Sequence, residues 1–309
     1  MPDLYLVWPG LEWDPWGIRC STSLPNFEQP QINLLSHGMP GTTDTGATLL
    51  ALSDRILYIA GFASSPPLTA HFISSAFCQS WPTWQPIGTG AFPASASNWI
   101  PALANWGTGA IAVWNGIGGD TRLWCSQYNQ SQNVWSDQYL TKLAGTNAPI
   151  QSGSCPAIVS INGTLLMVWC GEGNNDSLYY ATSTDGYTWE GNIAIKGAAS
   201  TGQPAMVIFN GFPVLCFKGG QNDGGIYTTT FNLNDSQWAP VVPTGPFGTS
   251  YGPTLAVYQG RLFMAWKGAG SDTDIWWATT SNNLDRSAWS GQSSIPNVGT
   301  CAQPAAVVF

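Results

Sequence analysis

An apolar run that ends in an aromatic residue, any residue and glycine recurs along this chain. A period of tens of residues limits the fold to stacked repeats, solenoids or propellers. The copies are Trp8-Pro9-Gly10, Trp114-Asn115-Gly116, Trp169-Cys170-Gly171, Phe217-Lys218-Gly219 and Trp266-Lys267-Gly268, with a weaker one at Ile59-Ala60-Gly61. Their glycines are spaced by 51, 55, 55, 48 and 49 residues. Fifteen positions before five of them stand Gly46, Pro101, Pro156, Pro204 and Pro253, each opening another apolar run. Counting fifteen back from Gly10 passes the first residue and, with the ends joined, lands on Pro304. Joined in that way, Pro304 to Gly10 reads PAAVVF/MPDLYLVWPG and aligns without a gap to PTLAVYQGRLFMAWKG, from Pro253 to Gly268. One copy is therefore divided between the two ends of the chain.

Each copy holds four strand-length segments separated by Asn-Gly, Gly-Gly and Asn-Asp turn chemistry, as at Ala205–Phe209, Phe212–Phe217, Gly225–Thr230 and Trp238–Val242. An antiparallel meander of that kind is a propeller blade. The pattern predicts an all-β chain, one six-bladed β-propeller over residues 1–309, closed by the C-terminal strand joining the N-terminal blade. The expected bounds are 1–45 with 303–309 for blade 1, 46–98 for blade 2, 99–153 for blade 3, 154–201 for blade 4, 202–250 for blade 5 and 251–302 for blade 6. Closure removes the open edges of a linear array.

Composition narrows the partners. With 44% hydrophobic and 8% charged residues the chain is far from disorder. It nevertheless lacks any apolar run of the roughly 18 residues that a membrane span needs, so no membrane insertion is expected. The net charge is −8, and the arginines, Arg19, Arg55, Arg122, Arg261 and Arg286, are scattered, which argues against nucleic acid. Seven cysteines, an odd number with several inside apolar runs, read as buried free thiols. Met1-Pro2-Asp3-Leu4 opens no signal-peptide pattern, so a cytoplasmic or unconventionally secreted protein is expected.

Two further positions recur. An aromatic precedes each fourth strand, at Phe27, Trp84, Trp135, Trp189, Trp238 and Trp289, and is expected to wedge between blades. Four residues after the anchoring glycines stand Asp14, Asp120, Asn175, Asp223 and Asp272, with Ser65 in the weak copy. One reading is an Asx turn closing the loop between strands two and three. The other notes that an aromatic follows at Trp124, Tyr179, Tyr227 and Trp276. Sugars offer hydroxyls to acceptors and apolar C–H faces to rings. An acceptor, a ring and a neighbouring donor such as Asn115, Lys218 or Lys267 therefore form a chemically adequate carbohydrate site. Trp13 and Trp16 flank Asp14 and can extend such a surface.

Ser183-Thr184-Asp185-Gly186-Tyr187-Thr188-Trp189 resembles a shortened Asp-box, the turn of sialidase-like propellers, with Asn234 and Asp285 in the corresponding place four before their Trp. That resemblance implies a structural turn and leaves catalysis open. A glycosidase needs two facing carboxylates, and the loops entering the first strands, at 38–46, 88–100, 143–155, 194–203, 242–252 and 296–303, hold only Asp44. His37 and His71 are spaced neither for a metal nor for a triad, so no metal and no cofactor is expected. The whole-chain pattern is similar to the six-bladed propeller lectins. The resemblance implies glycans or glycoproteins as partners, several repeated pockets, and agglutination through multivalency. A sialidase-like hydrolase or its inactive relative, and a protein-interaction scaffold, remain the alternatives.

Overall fold

In the computed structural model the described residues are 2–11, 15–20, 24, 26–27, 31–34, 46–60, 69–74, 84–86, 100–116, 118–281 and 288–309, with the backbone alone at 15–20, 60, 69–74 and 84–86. They form an all-β chain without an α-helix, arranged as small sheets in a propeller-like manner.

Six sheets follow one another along the sequence. Sheet 2 is Ala47–Ala51, Arg55–Ala60, Thr69–Ser74 and Trp84–Pro86, and sheet 3 is Ala102–Trp106, Gly109–Asn115, Leu123–Asn129 and Val134–Trp135, with Tyr139–Leu140 alongside. Sheet 4 is Ala157–Ile161, Thr164–Cys170, Ser177–Ser183 and Thr188–Ala199, flanked by Lys142–Leu143. Sheet 5 is Ala205–Phe209, Phe212–Lys218, Gly225–Asn232 and Gln237–Trp238, with Val242–Gly248, and sheet 6 is Thr254–Tyr258, Arg261–Lys267, Ile275–Thr280 and Ser293–Ser294. Sheet 1 is made from both ends of the chain. Its order is Ala305–Val308, Leu4–Pro9, Pro15–Cys20 and Ile32–Asn33. The last strand pairs antiparallel with the first, from Leu4 opposite Val308 to Val7 opposite Ala305. Beyond it, Asp3 and Phe309 exchange both backbone hydrogen bonds, at 2.9 and 3.0 Å.

Local sequence explains the meander. First and second strands are joined at Asn162-Gly163, Asn210-Gly211 and Gln259-Gly260, where both residues take positive φ, the turn whose twist suits a hairpin. Second strands such as Leu4–Pro9 and Gly109–Asn115 are buried at every position, which is why they read as unbroken apolar runs. The fourth strand of sheet 5 departs from expectation. It was expected as one piece, Trp238–Val242, but ends at Trp238 and a separate piece starts at Val242. Pro240 lies between them and has no N–H to give to the ladder. In sheet 4, where no proline intervenes, the fourth strand runs twelve residues with two register shifts.

The apolar core is a series of clusters between consecutive sheets. Leu57 and Ile59 of sheet 2 meet Ala112 and Trp114 of sheet 3, and Phe217 of sheet 5 meets Val168 of sheet 4. Leu4, Leu6 and Trp8 of sheet 1 pack with Phe263 and Trp277 of sheet 6. The recurrent second aromatics sit in these seams. Trp135, Trp189, Trp238 and Trp289 each pack against the preceding sheet. Phe27 lies 6.4 Å from Phe263 and 6.2 Å from Trp277 of sheet 6. The first strands touch in sequence, 47–51 with 102–106, then 157–161, 205–209, 254–258 and 305–308, which returns to 47–51. All six line one cavity of about 340 Å³.

The cysteines Cys125, Cys155, Cys170, Cys216 and Cys301 are free thiols, the first four buried. Burial pushes Cys170 up to about 11 and raises Cys125 and Cys216 as well, so none of these three is a poised nucleophile.

Candidate functional site

In sheets 3 to 6 the second strand ends one residue before its anchoring glycine, and the loop beyond is closed by that glycine's N–H. Gly116 donates to Arg122 O at 3.2 Å, Gly171 to Ser177 O at 2.9 Å, Gly219 to Gly225 O at 2.9 Å and Gly268 to Asp274 O at 3.0 Å. The fourth residue after the glycine folds inside this loop. Asp120 Oδ1 accepts from the backbone of Arg122 (3.1 Å), Asn175 Oδ1 from Ser177 (3.1 Å), Asp223 Oδ1 from Gly225 (2.8 Å) and Asp272 Oδ1 from Asp274 (2.9 Å). These are Asx turns. The second side-chain atom bonds the aromatic four residues later. Trp124 Nε1 donates to Asp120 at 3.0 Å, Tyr227 OH to Asp223 at 2.8 Å and Trp276 Nε1 to Asp272 at 2.8 Å, while Asn175 Nδ2 donates to Tyr179 OH at 3.0 Å. A Cβ at Gly116 would stand 2.5 Å from Asp120 Oδ2, and one at Gly219 would stand 2.5 Å from the Asp223 carboxyl. The spacing of glycine, Asx and ring is thus a single structural unit.

The unit leaves polar edges exposed. Asn175 and Asp223 are exposed, and the Asp120 side chain keeps 23% of its accessible surface. A carboxylate has about four lone-pair positions; Asp223 uses two of them, on Gly225 N and the Tyr227 hydroxyl, whereas Asp120 accepts four hydrogen bonds, three from Arg122 and one from Trp124. Arg122 chelates Asp120 at 2.7 and 3.0 Å and lies 5.2 Å above the Trp124 ring. Burial works to raise Asp120, but hydrogen bonds from Arg122 and Trp124 prevail and hold it below the ordinary carboxylate value. Asp223 is held low by the Gly225 N–H and the Tyr227 hydroxyl.

The expected donors are placed differently. Asn115, Lys218 and Lys267 are buried, at 5%, 8% and 5% exposure. Lys218 Nζ reaches Thr201 Oγ1, Gly219 O and Asp223 O at 2.7, 3.2 and 3.2 Å. Lys267 Nζ reaches Gly268 O, Gly270 O and Asp272 O at 3.3, 3.2 and 2.9 Å. An ammonium has three protons, so both lysines are spent on the loop carbonyls beneath the Asx turns. Asp14 and Trp13, with Ser65, His37, Asp44 and Asp285, lie outside the described residues, and Trp16 and His71 are described by backbone alone. In sheet 5 the turn before Trp238 is tied by Asp235, which accepts from Gln237 N at 3.1 Å, rather than by Asn234.

One recurrent element went unread in the sequence. Four residues before each strand-opening proline stands a Ser or Thr. Ser152 Oγ lies 2.9 Å from Cys170 O, and Thr249 Oγ1 lies 2.8 Å from Lys267 O. Thr300 Oγ1 lies 2.8 Å from Pro9 O, across the chain ends. In these three lead-in loops the hydroxyl reaches the end of the second strand, whereas Ser200 Oγ donates to Gly202 O at 2.8 Å, and Ser97 lies outside the described residues.

A concave site lies at the other end of the strands, where the meander places the turns joining strands one to two and three to four. A cleft of about 390 Å³ opens between those turns of sheet 3 and the Ser183–Trp189 turn of sheet 4. Its aromatic walls are Trp106, Tyr128, Trp135 and Tyr187, and its polar groups include Thr108, Gln127, Asn129, Gln132 and Ser136. Among the described residues none that lines it is charged. The Asp-box-like turn sets Tyr187 in place. Burial works against the Asp185 carboxylate, yet it accepts from the N–H groups of Tyr187 and Thr188, both at 2.7 Å, and is held low. Gln127 Nε2 donates to Asp185 O at 2.8 Å, tying the two sheets. Trp135 Nε1 is buried in the cleft wall without a hydrogen-bond partner. Tyr139, 46% exposed, meets Tyr187 edge to face with centroids 5.0 Å apart. Trp106 and Tyr187 are 81 residues apart.

No protein-family model and no curated protein sequence matches the chain. Solved structures do match its fold. A mutant of the Aleuria aurantia lectin in complex with Fucα1-6GlcNAc superposes with a TM-score of 0.63 at 10% identity, covering 97% of this chain and 94% of that one. A protein of unknown function from Dyadobacter fermentans gives 0.61 at 12% identity, covering 82% of this chain and 83% of that one. AofleA from Arthrobotrys oligospora gives 0.58 at 15% identity, with 84% and 73% covered. At such identities the likeness is one of fold.

Proposed function

We propose that this chain is a carbohydrate-binding protein of the lectin type. In this reading it is a closed six-bladed propeller over residues 1–309, with blades at the bounds given above, that takes neutral sugars into clefts between blades. The cycle of contacts among first strands, the seam between sheets 1 and 6, and the pairing of the chain ends support closure. The observation that carries the function is the cleft of sheets 3 and 4, with aromatic walls, amide and hydroxyl groups and, among the described residues, no charge. C–H faces of a pyranose stack on such rings while its hydroxyls meet amides of either polarity. The similar fold of a lectin solved with a fucosylated disaccharide supports the same class of ligand.

The Asx–aromatic pairs, Asp120 with Trp124, Asn175 with Tyr179, Asp223 with Tyr227 and Asp272 with Trp276, are proposed as additional sugar contacts on the opposite edge, with Asn175 and Asp223 the exposed members. Several weak sites on one rigid ring bind a glycan-coated surface far more tightly than one does. Hydrolysis is not part of the proposal, because among the described residues neither the cleft nor the central cavity brings two carboxylates together.

A glycan array with purified protein, followed by haemagglutination and its inhibition by simple sugars, tests the reading. Binding to a terminal sugar, weakened by Trp106→Ala or Tyr187→Ala, is expected. A blank array and no agglutination overturn it in favour of a scaffold.

A further inference from the structure

Where the first strands begin, prolines remove backbone donors from the centre of the molecule, and Thr48 and Thr254 add hydroxyls to it. Five of the six strands open on proline, at 101, 156, 204, 253 and 304, and proline has no N–H. A small cavity of about 110 Å³ lies at this level, lined by Pro101, Pro156, Pro204 and Pro304 and by two glutamines, Gln203 and Gln303. Both glutamines are buried, at 7% and 9% exposure. Their amide N–H groups are turned onto neighbouring backbone: Gln203 Nε2 donates to Ile100 O at 2.7 Å and lies 3.4 Å from Pro156 O, and Gln303 Nε2 donates to Pro253 O at 2.8 Å. The acceptor ends remain. Gln203 Oε1 is fully buried with no hydrogen-bond partner. A Cβ on Gly252 would collide with the Gln203 backbone carbonyl and stand 2.6 Å from Gln303 Oε1, so the glycine there makes room for both.

A buried acceptor without a donor is destabilising, and a polar cavity of this size has room for an occupant. We infer that a monovalent alkali cation binds here, with Gln203 Oε1 as a ligand and the surrounding amide and backbone carbonyl oxygens completing its shell. The donor set selects the class. Among the described residues no carboxylate, imidazole or thiolate lines the cavity, so they offer a divalent or transition metal none of its usual ligands. Rings of neutral carbonyl oxygens instead replace the hydration shell of an alkali ion. The net charge of −8 favours cations throughout. The site stands apart from the outer clefts and does not depend on what they bind.

The test compares thermal unfolding of the full chain in choline, sodium and potassium chloride at equal ionic strength. One of the alkali salts is expected to raise Tm by about 2–4 °C over choline, and Gln203→Met to abolish the difference while near-UV circular dichroism stays unchanged. Crystals soaked in rubidium chloride are expected to show an anomalous peak within coordination distance of Gln203 Oε1. Equal Tm in all three salts, or water density without an anomalous peak at that oxygen, overturns the inference. The rubidium measurement decides even if Gln203→Met fails to fold.

Discussion

The indole Nε1 of Trp276 donates to Asp272 Oδ2 at 2.8 Å, while the other oxygen of that carboxylate accepts from the Asp274 backbone at 2.9 Å. Indole can only donate, whereas a tyrosine hydroxyl can donate or accept. The repeat obeys that difference. Both copies with Trp carry Asp, at Asp120 and Asp272, and the one described copy with Asn carries Tyr, at Asn175 and Tyr179. Asp272→Asn is therefore expected to set an amide N–H against an indole N–H, or to flip and lose the Asx turn. The expected cost is about 1–2 kcal/mol. Adding Trp276→Tyr recovers most of it. A double-mutant cycle by urea denaturation measures the coupling, and additive losses would refute it.

The glycine before each Asx is required by contact rather than by backbone angle. Gly219 does not take positive φ, yet a Cβ on it would meet the Asp223 carboxyl at 2.5 Å. Gly219→Ala is expected to destabilise by about 1–3 kcal/mol, and Asp223→Gly in the same chain to relieve part of that loss. Gly211→Ala, at φ 83° with nothing near its Cβ, tests backbone strain by contrast. No change at the Asx position rescues it.

Much of this architecture was legible because the repeat is carried by residues with one physical use each. Glycine meets a carboxylate, proline opens a strand without a donor, and asparagine-glycine makes the hairpin. The same reasoning placed the Asx–aromatic pairs but misread Lys218 and Lys267. Each ends a run of apolar residues, and an exposed ammonium is the usual expectation there. Burial of both lysines depends on three loop carbonyls or hydroxyls gathered by the fold. The cleft was not legible at all. Trp106 and Tyr187 come from different sheets, and no local pattern links them.

Acid is expected to loosen these turns. Asp120, Asp185 and Asp223 all lie below the ordinary value of 3.8 in the folded chain. Between the folded and unfolded values the unfolded chain binds more protons, so stability falls as pH drops. Their contribution is complete above about pH 5 and is lost as pH falls below 4 through the folded values. Tm measured from pH 7 downward should decline in that window. Asp185→Asn should lower Tm at pH 7 and make the decline shallower, and a curve parallel to the parent would refute the assignment.

The closed ring proposed for this chain leads to a further prediction, because the last strand fills an edge of sheet 1. Ala305–Val308 covers Leu4–Pro9, and Ala306 and Val307 pack in the two clusters on either side of sheet 1. Deleting residues 305–309 exposes an unpaired strand edge and opens both seams, so aggregation or a large loss of stability is expected. Joining the ends tests the same idea without removing anything. Asp3 and Phe309 already exchange hydrogen bonds, so the chain can be joined by a short linker on that side of sheet 1. New ends can be cut at Asn162-Gly163, an exposed turn whose Cβ positions meet nothing. In a closed ring that permuted chain folds with a Tm within a few degrees of the parent. If sheet 1 were held by its two strands alone, moving the cut into sheet 4 would separate Ala157–Ile161 from its neighbour and cost as much as the deletion. Thermal unfolding of the two variants side by side distinguishes a ring from an open array.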